Sequence, residues 1–126
     1  MDVTDRITLS GLRVFGYHGV YDDEKRDGQD FVVDLRLDLD TRPAAASDDV
    51  ADTVHYGDLA ASVAAVVAGD PVDLLETLAQ RIADVALADD RVARVEVTVH
   101  KPQAPIALQF DDVSVTIARS RPRTSA

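Results

Sequence analysis

The sequence has neither cysteine nor tryptophan in its 126 residues. Without cysteine the chain can form no disulfide, bind no metal through thiolates and use no thiol nucleophile. This composition suits a reducing compartment, and we expect a cytoplasmic protein. The first residues lack the basic start and apolar stretch of a signal peptide, and no apolar run approaches the roughly 20 residues of a membrane span.

Basic residues are scarce as well. The 13 lysines and arginines stand against 23 aspartates and glutamates, which gives a formal net charge of −10. The negative electrostatic field of such a chain repels phosphate groups, so we expect neither nucleic acid nor a membrane surface as a partner. The length predicts a single domain with a core of its own. We predict that this domain spans residues 1–119 and that residues 120–126 form a disordered tail.

Four segments alternate apolar and polar residues, as strands with one buried face do. The first covers about residues 5–16, where the apolar positions change parity across Gly11, and this change predicts a β-bulge. The other strands are centred on three apolar sets: Phe31, Val33, Leu35, Leu37 and Leu39; Val95, Val97 and Val99; Val113, Val115 and Ile117. The polar segments 16–29 and 41–52 are predicted to be irregular connections.

Two helices are predicted between the second and third strands. Apolar residues at helical spacing begin at Leu59, and Gly69 ends this helix. The second helix carries an apolar stripe from Leu75 to Val85, and Asp73 followed by Glu76 forms a relative of the capping box at its start. The element order predicts an α+β fold, a four-stranded antiparallel sheet with two helices on one face. The other face is polar on every strand, so it points to water or to the wet interior of an assembly.

Lys101 is the first candidate for catalysis. It follows the third strand and precedes Pro102, which cannot donate to a sheet and biases the residue before it toward extended geometry. A lysine fixed where a strand meets a loop can act as a general acid or base. The alternative is a solvated lysine that closes a hairpin, because most lysines are exposed.

The histidines are a second set of candidates. His18, His55 and His100 lie on three separate segments and could converge on zinc, although no short-range ligand spacing supports such a site. The sequence contains no dinucleotide-binding loop, Walker loop, HExxH helix or nucleophile elbow.

Four separated motifs indicate the protein family more specifically than any of these single residues does. They are Gly16-Tyr17-His18-Gly19 with Glu24 and Gly28-Gln29; Asp52-Thr53-Val54-His55-Tyr56-Gly57; Leu74-Leu75-Glu76; and Lys101-Pro102 with Pro105-Ile106. In these motifs, their order and their spacing, the chain resembles the dihydroneopterin aldolase family from Ile7 to Ala118. The segment 103–111 is less typical of that family.

The resemblance implies the tunnelling fold, in which four copies close into a barrel and two barrels often stack. We therefore expect a homo-oligomer, either a tetramer or an octamer. The implied reaction is retro-aldol cleavage of a small-molecule pterin, 7,8-dihydroneopterin, to 6-hydroxymethyl-7,8-dihydropterin and glycolaldehyde in folate biosynthesis. Epimerisation of the side-chain carbinol is the expected side activity. The dihydropterin ring holds a C=N bond that can accept the electrons of the broken bond, so we expect no cofactor, no metal and no lysine Schiff base.

The resemblance also implies the roles of individual residues. Lys101 would be the general acid and base, acting through a water, and Glu24 would hold that network and the substrate hydroxyls. Glu76 would bind the ring edge through two hydrogen bonds, with a backbone contact from Leu75. The alternative for Glu76 is a carboxylate that only stabilises the start of its helix.

A neighbouring subunit would supply the remaining contacts, from Val54, His55 and Tyr56. Of these, Tyr56 would act on the ring by stacking or proton transfer. A single chain would then be inactive.

Three other functions remain open. An epimerase for the triphosphate form of the same pterin would need clustered cations, and only Lys25 and Arg26 are adjacent near the site. A zinc-dependent pterin synthase of the same fold would need the three histidines together. A non-catalytic barrel would bind pterin even without Lys101.

Overall fold

The computed structural model describes residues 5–121, and within them the chain folds into one antiparallel sheet whose four strands follow the sequence order. The strands are β1 (Arg6–Gly16), β2 (Gln29–Asp38), β3 (Arg94–His100) and β4 (Ser114–Ser120). The helices are α1 (Asp22–Asp27), α2 (Arg42–Ser47), α3 (Tyr56–Ala68) and α4 (Leu75–Leu87), with a 3₁₀ turn at Val50–Asp52. The predicted antiparallel sheet and its two long helices are confirmed, whereas the barrel of several copies stays a prediction.

The core lies between one face of the sheet and the helices α3 and α4. Alternate side chains of β2 and β3 point into it and are at most 1% exposed: Phe31, Val33, Leu35, Leu37, Val95, Val97 and Val99. The helices contribute Val63, Val67, Leu78 and Ile82, which are fully buried. Every second residue of each strand faces the apolar stripe of the helices, so the apolar sides of strands and helices are buried against each other. The opposite face of the sheet is polar.

Gly11 marks the bulge that the change of parity predicts. The pairing of β1 with β2 shifts between Leu9 and Leu12, and Gly11 has a φ of 73°, which suits glycine. A bulge takes a residue out of the regular ladder. Here the Gly11 N–H donates instead to Oδ1 of Asp34 at 2.7 Å, so the buckled strand is tied to the polar face of β2.

The irregular connections contain short helices that the pattern did not predict. Helix α1 lies inside the 16–29 segment, and α2 with the 3₁₀ turn lies inside 41–52. Each is too short to show an apolar period, which needs about three turns to be recognised. Helix α1 begins with three acidic residues, Asp22, Asp23 and Glu24, which its positive N-terminal end favours.

The C-terminal boundary also differs from the prediction. Strand β4 includes Ser120, and the guanidinium of Arg121 donates to the carbonyls of Leu87, the last residue of α4, and of Asp89 and Val92 beyond it. The carbonyls of the last helical turn have no partners within the helix and so attract a cationic donor. A disordered tail is therefore wrong for residues 120 and 121, and its remainder lies outside the described residues. Between residues 5 and 121, no helix combines the length and apolarity needed to cross a bilayer.

Candidate active site

Lys101 and Glu24 form an ion pair at the end of the sheet. Lys101 is the first residue after β3, where its N–H donates to the Val113 carbonyl at 2.7 Å. Glu24 projects from the first turn of α1. The Lys101 Nζ and the Glu24 Oε2 lie 2.5 Å apart, and the two side chains are only 12% and 6% exposed. The alternative of a solvated lysine is therefore wrong, because its ammonium group is buried against a carboxylate.

The Glu24 carboxylate is surrounded by donors. Besides Lys101, the N–H of Tyr21 donates to Oε1 at 3.3 Å and the Nε2 of Gln29 donates to Oε2 at 3.1 Å. Burial acts to raise the pKa of Glu24, but Lys101, the Tyr21 N–H and Gln29 together outweigh it and hold the pKa below its ordinary value. Glu24 is therefore an anion at neutral pH, and three donors hold its carboxylate in position.

Gly19 leaves the space that this carboxylate occupies. A β-carbon at position 19 would lie 2.4 Å from the carboxyl carbon of Glu24, which is closer than a side chain tolerates. The Gly19 N–H donates to the Val72 carbonyl at 2.9 Å, and its own carbonyl accepts a hydrogen bond from Nζ of Lys25. The glycine of the first motif thus brings α1 close to the segment that precedes α4.

An open cleft of about 360 Å³ lies beside the ion pair. The start of α4 forms one wall, and the segment between β3 and β4 forms another. Its lining residues are Val20, Tyr21, Glu24, Asp73, Leu74, Leu75, Glu76, Lys101, Ala104, Pro105, Ile106 and Val113. The structure therefore brings four of the predicted site residues into one cleft: Glu24, Leu75, Glu76 and Lys101.

The start of α4 differs from the predicted capping box. Leu74 precedes the helix and no side chain caps it. Asp73 instead accepts a hydrogen bond from Nζ of Lys25 at 2.5 Å, so its predicted role as a cap is wrong, because a nearby cation holds its carboxylate. Glu76 makes no side-chain hydrogen bond to the described part of the chain. Exposed in the first helical turn, its carboxylate is available to a ligand in the cleft.

The residues expected from a neighbouring subunit lie outside this cleft. Val54 is buried, and His55 caps α3 by accepting the N–H of Asp58 on its Nδ1 at 3.0 Å. Both line a different cleft, between the start of α3 and the end of α4. Tyr56 is 66% exposed. Within one chain, none of these three side chains lines the cleft that holds Lys101.

The three histidines have separate partners. His18 is buried, its Nε2 donating to the Val67 carbonyl at 2.6 Å and its Nδ1 accepting the Val72 N–H at 3.0 Å. Burial lowers the pKa of His18, which keeps the ring neutral as these bonds require. His55 caps a helix and His100 lies between two carboxylates. The described residues contain no group of three or more potential metal ligands, so the histidines do not converge within one chain.

The sequence did not predict the place of Tyr21, which precedes α1 and lines the cleft. Lys25, considered from the sequence only as a cation near the site, joins α1 to Asp73. Arg26 pairs with Asp27 at 3.0 Å. Both cations near the site are thus already matched by carboxylates. The run of acidic residues followed by basic ones over 22–27 was the available signal for this helix.

Known proteins are similar to this chain in sequence and in fold. The family model of FolB, dihydroneopterin aldolase, matches residues 7–118. The dihydroneopterin aldolase of Streptomyces coelicolor (strain ATCC BAA-471 / A3(2) / M145) is 62% identical over 117 residues, which cover 93% of this chain and 98% of that protein.

Two solved structures extend the comparison to three dimensions. Escherichia coli dihydroneopterin aldolase in complex with neopterin has a TM-score of 0.86 at 35% identity, over 93% of this chain and 100% of the other. Dihydroneopterin aldolase from Burkholderia thailendensis bound to guanine has a TM-score of 0.78 at 28% identity, over 94% and 92% of the two chains. On its sequence and on its fold, the chain belongs to the dihydroneopterin aldolase family.

Proposed function

We propose that this chain cleaves 7,8-dihydroneopterin by a retro-aldol reaction and releases 6-hydroxymethyl-7,8-dihydropterin and glycolaldehyde for folate biosynthesis. The observation that carries this proposal is the buried ion pair of Lys101 and Glu24, which lines the same cleft as the open carboxylate of Glu76. A proton-transfer pair and a ring-binding group are thus available to one substrate. Epimerisation at the side-chain carbinol would use the same pair.

The substrate supplies the electron sink. A retro-aldol step removes a hydroxyl proton, breaks the carbon–carbon bond to form an aldehyde, and moves the bonding electrons into the conjugated C=N of the ring. The carbon left on the ring then takes up a proton. An amine held 2.5 Å from a carboxylate serves better as a proton donor than as a nucleophile. We therefore propose that neither a Schiff base nor a metal takes part.

Lys101 is the proposed general acid and base, acting through a water. Glu24 balances its charge and lies close enough to the cleft to accept a hydrogen bond from a substrate hydroxyl. Because Tyr21 and Gln29 also hold Glu24 in place, little reorganisation is needed during proton transfer.

Glu76 is the proposed anchor for the pterin ring. Neopterin and guanine, which the E. coli and Burkholderia enzymes bind, both present an amino group beside a ring N–H. A carboxylate can accept both hydrogens from that edge. Glu76 lies in the first turn of α4, and the backbone of Leu75 would add a contact.

We further propose a cytoplasmic homo-oligomer, a tetramer or octamer, with sites between subunits. Val54, His55 and Tyr56 would reach the cleft of a neighbouring copy, since they do not line the cleft of their own chain. Strands β1 and β4 are the edges of the sheet in the described residues. An unpaired edge is a template for another strand, so pairing of β4 with β1 of the next copy would close the barrel.

Product analysis tests the reaction directly. Purified protein is incubated with 7,8-dihydroneopterin, with and without a chelator, and the pterin and aldehyde products are quantified. We expect equal amounts of 6-hydroxymethyl-7,8-dihydropterin and glycolaldehyde, unaffected by the chelator. A parallel incubation with the triphosphate form addresses the epimerase alternative. Absence of glycolaldehyde from both substrates would reject the proposal.

A further inference from the structure

A chain of hydrogen bonds crosses the polar face of the sheet and ends at the segment 101–113. His100, the last residue of β3, is bonded through both ring nitrogens. Its Nδ1 lies 2.6 Å from Oδ2 of Asp112, and its Nε2 lies 2.7 Å from Oδ2 of Asp34. The other oxygen of Asp34 accepts the N–H of Gly11 at 2.7 Å. These hydrogen bonds therefore join the bulge of β1, the middle of β2, the end of β3 and Asp112, two residues before β4.

This geometry requires the charged form of the imidazole. A neutral ring has one donor and one acceptor nitrogen, so it can donate to only one of two carboxylates. The two carboxylates are the charged groups that act on the ring, Asp34 from β2 and Asp112 from the segment before β4. The residues opposite His100 in the ladders, Val32 and Ser114, are uncharged. The hydrogen bond with Asp112, followed by that with Asp34, raises the pKa of His100.

The segment held by this chain forms one wall of the cleft. Ala104, Pro105 and Ile106 line the cleft opposite the start of α4. Two contacts close the base of the segment: the Lys101 N–H with the Val113 carbonyl, and His100 with Asp112. The contact of His100 with Asp112 therefore bears on the position of this wall, whereas the side chain of Lys101 is held separately by Glu24.

We propose that Asp34, His100 and Asp112 form a latch that holds the segment 101–113 in the position that completes the pterin cleft, and that loss of the His100 proton releases it. His100 is a positioning residue, since it acts through the segment and does not line the cleft. The link to pterin binding rests on the proposed function, whereas the latch itself can be measured without substrate.

The stability of the latch should decrease as pH rises. The pKa of His100 in the folded chain lies above its ordinary value of 6.5. The latch is therefore fully formed below 6.5 and is lost as pH rises through the folded-state pKa. Substrate affinity should accordingly weaken on the alkaline side.

Hydrogen exchange of the assembled protein tests the latch without substrate. The protection of residues 102–113, corrected for intrinsic exchange rates, is compared below pH 6.5 and at increasing pH in the wild type and in Asp112→Asn. Asp111→Asn is the matched control, because it removes an adjacent exposed carboxylate that makes no hydrogen bond or ion pair with His100. We expect Asp112→Asn to lower protection about 3- to 10-fold below pH 6.5, the scale of one partly exposed charged hydrogen bond. The wild type should fall to that level as pH rises through the folded-state pKa of His100.

Steady-state kinetics then connects the latch to the cleft. We expect Asp112→Asn to raise the KM for 7,8-dihydroneopterin by about the same 3- to 10-fold, with kcat little changed because the Lys101–Glu24 pair is intact. Its KM should show no further rise with pH from the latch, because the variant has already lost the latch. Equal protection of residues 102–113 in Asp112→Asn and Asp111→Asn would overturn the latch. Reduced protection in Asp112→Asn with an unchanged KM would overturn the role of the latch in the cleft. If the wild type has no aldolase activity, the proposed function fails while hydrogen exchange still decides the latch.

Discussion

At the scale of single residues, two carboxylates near the cleft differ in what already holds them. Glu24 accepts hydrogen bonds from Lys101, Tyr21 and Gln29, whereas Glu76 makes no side-chain hydrogen bond to the described residues. A carboxylate already occupied by three donors can position a cation and a water. One without partners can bind the donor edge of a ligand. This difference in surroundings supports the proposal that Glu24 takes part in proton transfer and that Glu76 binds the ring.

Replacing Glu76 with Gln should weaken pterin binding more than it slows turnover. The substitution puts a donor against the donor edge of the ring, and an unpaired donor costs about 1–3 kcal/mol. Neopterin affinity measured by calorimetry checks this, with Asp84→Asn as a control for loss of an exposed carboxylate on the same helix. Unchanged affinity combined with a less stable α4 would mean that Glu76 only stabilises the helix start.

The sequence motifs predicted residues that lie together in one cleft, but they did not predict every side-chain partner. The motifs identified Lys101, Glu24 and Glu76, and the structure brings them into one cleft. Asp73 was assigned to helix capping because only local spacing was visible. Its actual partner, Lys25, is distant in sequence, and such a pairing depends on how α1 packs against the start of α4.

At the scale of elements, the position of α1 depends on the close approach of Gly19. Substitution of Gly19 by Ala should displace the Glu24 carboxylate, because the new β-carbon would lie 2.4 Å from its carboxyl carbon. We expect kcat to fall by at least about tenfold, since mispositioning a proton-transfer group of this kind costs part of its 10²–10⁴-fold effect.

Gly11→Ala is the matched control for that substitution. Gly11 also has a positive φ, but a β-carbon there would meet no atom within 4 Å. Both variants should lose about 1–2 kcal/mol of stability from backbone strain, measured by denaturant unfolding. Equal kcat values for the two variants would mean that the space at Gly19 has no role in positioning Glu24.

Elements with a long periodic pattern were predictable, and short ones were not. The strands, the bulge at Gly11 and the helices α3 and α4 follow from apolar periodicity. Helices α1 and α2 have six residues each and bury little apolar surface, so periodicity could not reveal them. The motif therefore identified Glu24 as the partner of Lys101, whereas the helix that carries Glu24 was not predicted.

At the scale of the whole molecule, the position of Arg121, at the end of the described residues, was the hardest feature to predict from the sequence. Arg121 lies in a polar stretch that reads as a tail, yet its guanidinium satisfies carbonyls at the end of α4. That contact joins distant parts of the chain and leaves no local pattern. The barrel is likewise a property of several copies. It was expected from the family resemblance, because the polar sheet face by itself fits water as well as the interior of an assembly.

Subunit complementation tests the assembly. Tyr56→Ala and Lys101→Ala homomers should each be nearly inactive. After co-refolding they should regain activity in proportion to about one interface in four, the fraction expected when two variants mix at random across a heterologous interface. Native gels must show that mixed assemblies form. No recovery in proven mixed assemblies would mean that Tyr56 does not act in the cleft of a neighbouring copy.

The most direct test of the proposed chemistry is the comparison of turnover and pterin affinity in Lys101→Ala. Single-turnover cleavage of 7,8-dihydroneopterin gives the first quantity, and neopterin binding gives the second. If the Lys101–Glu24 pair transfers the proton, cleavage falls by about 10²–10⁴-fold while affinity stays close to that of the wild type. Cleavage within a few-fold of the wild type would contradict this role for Lys101.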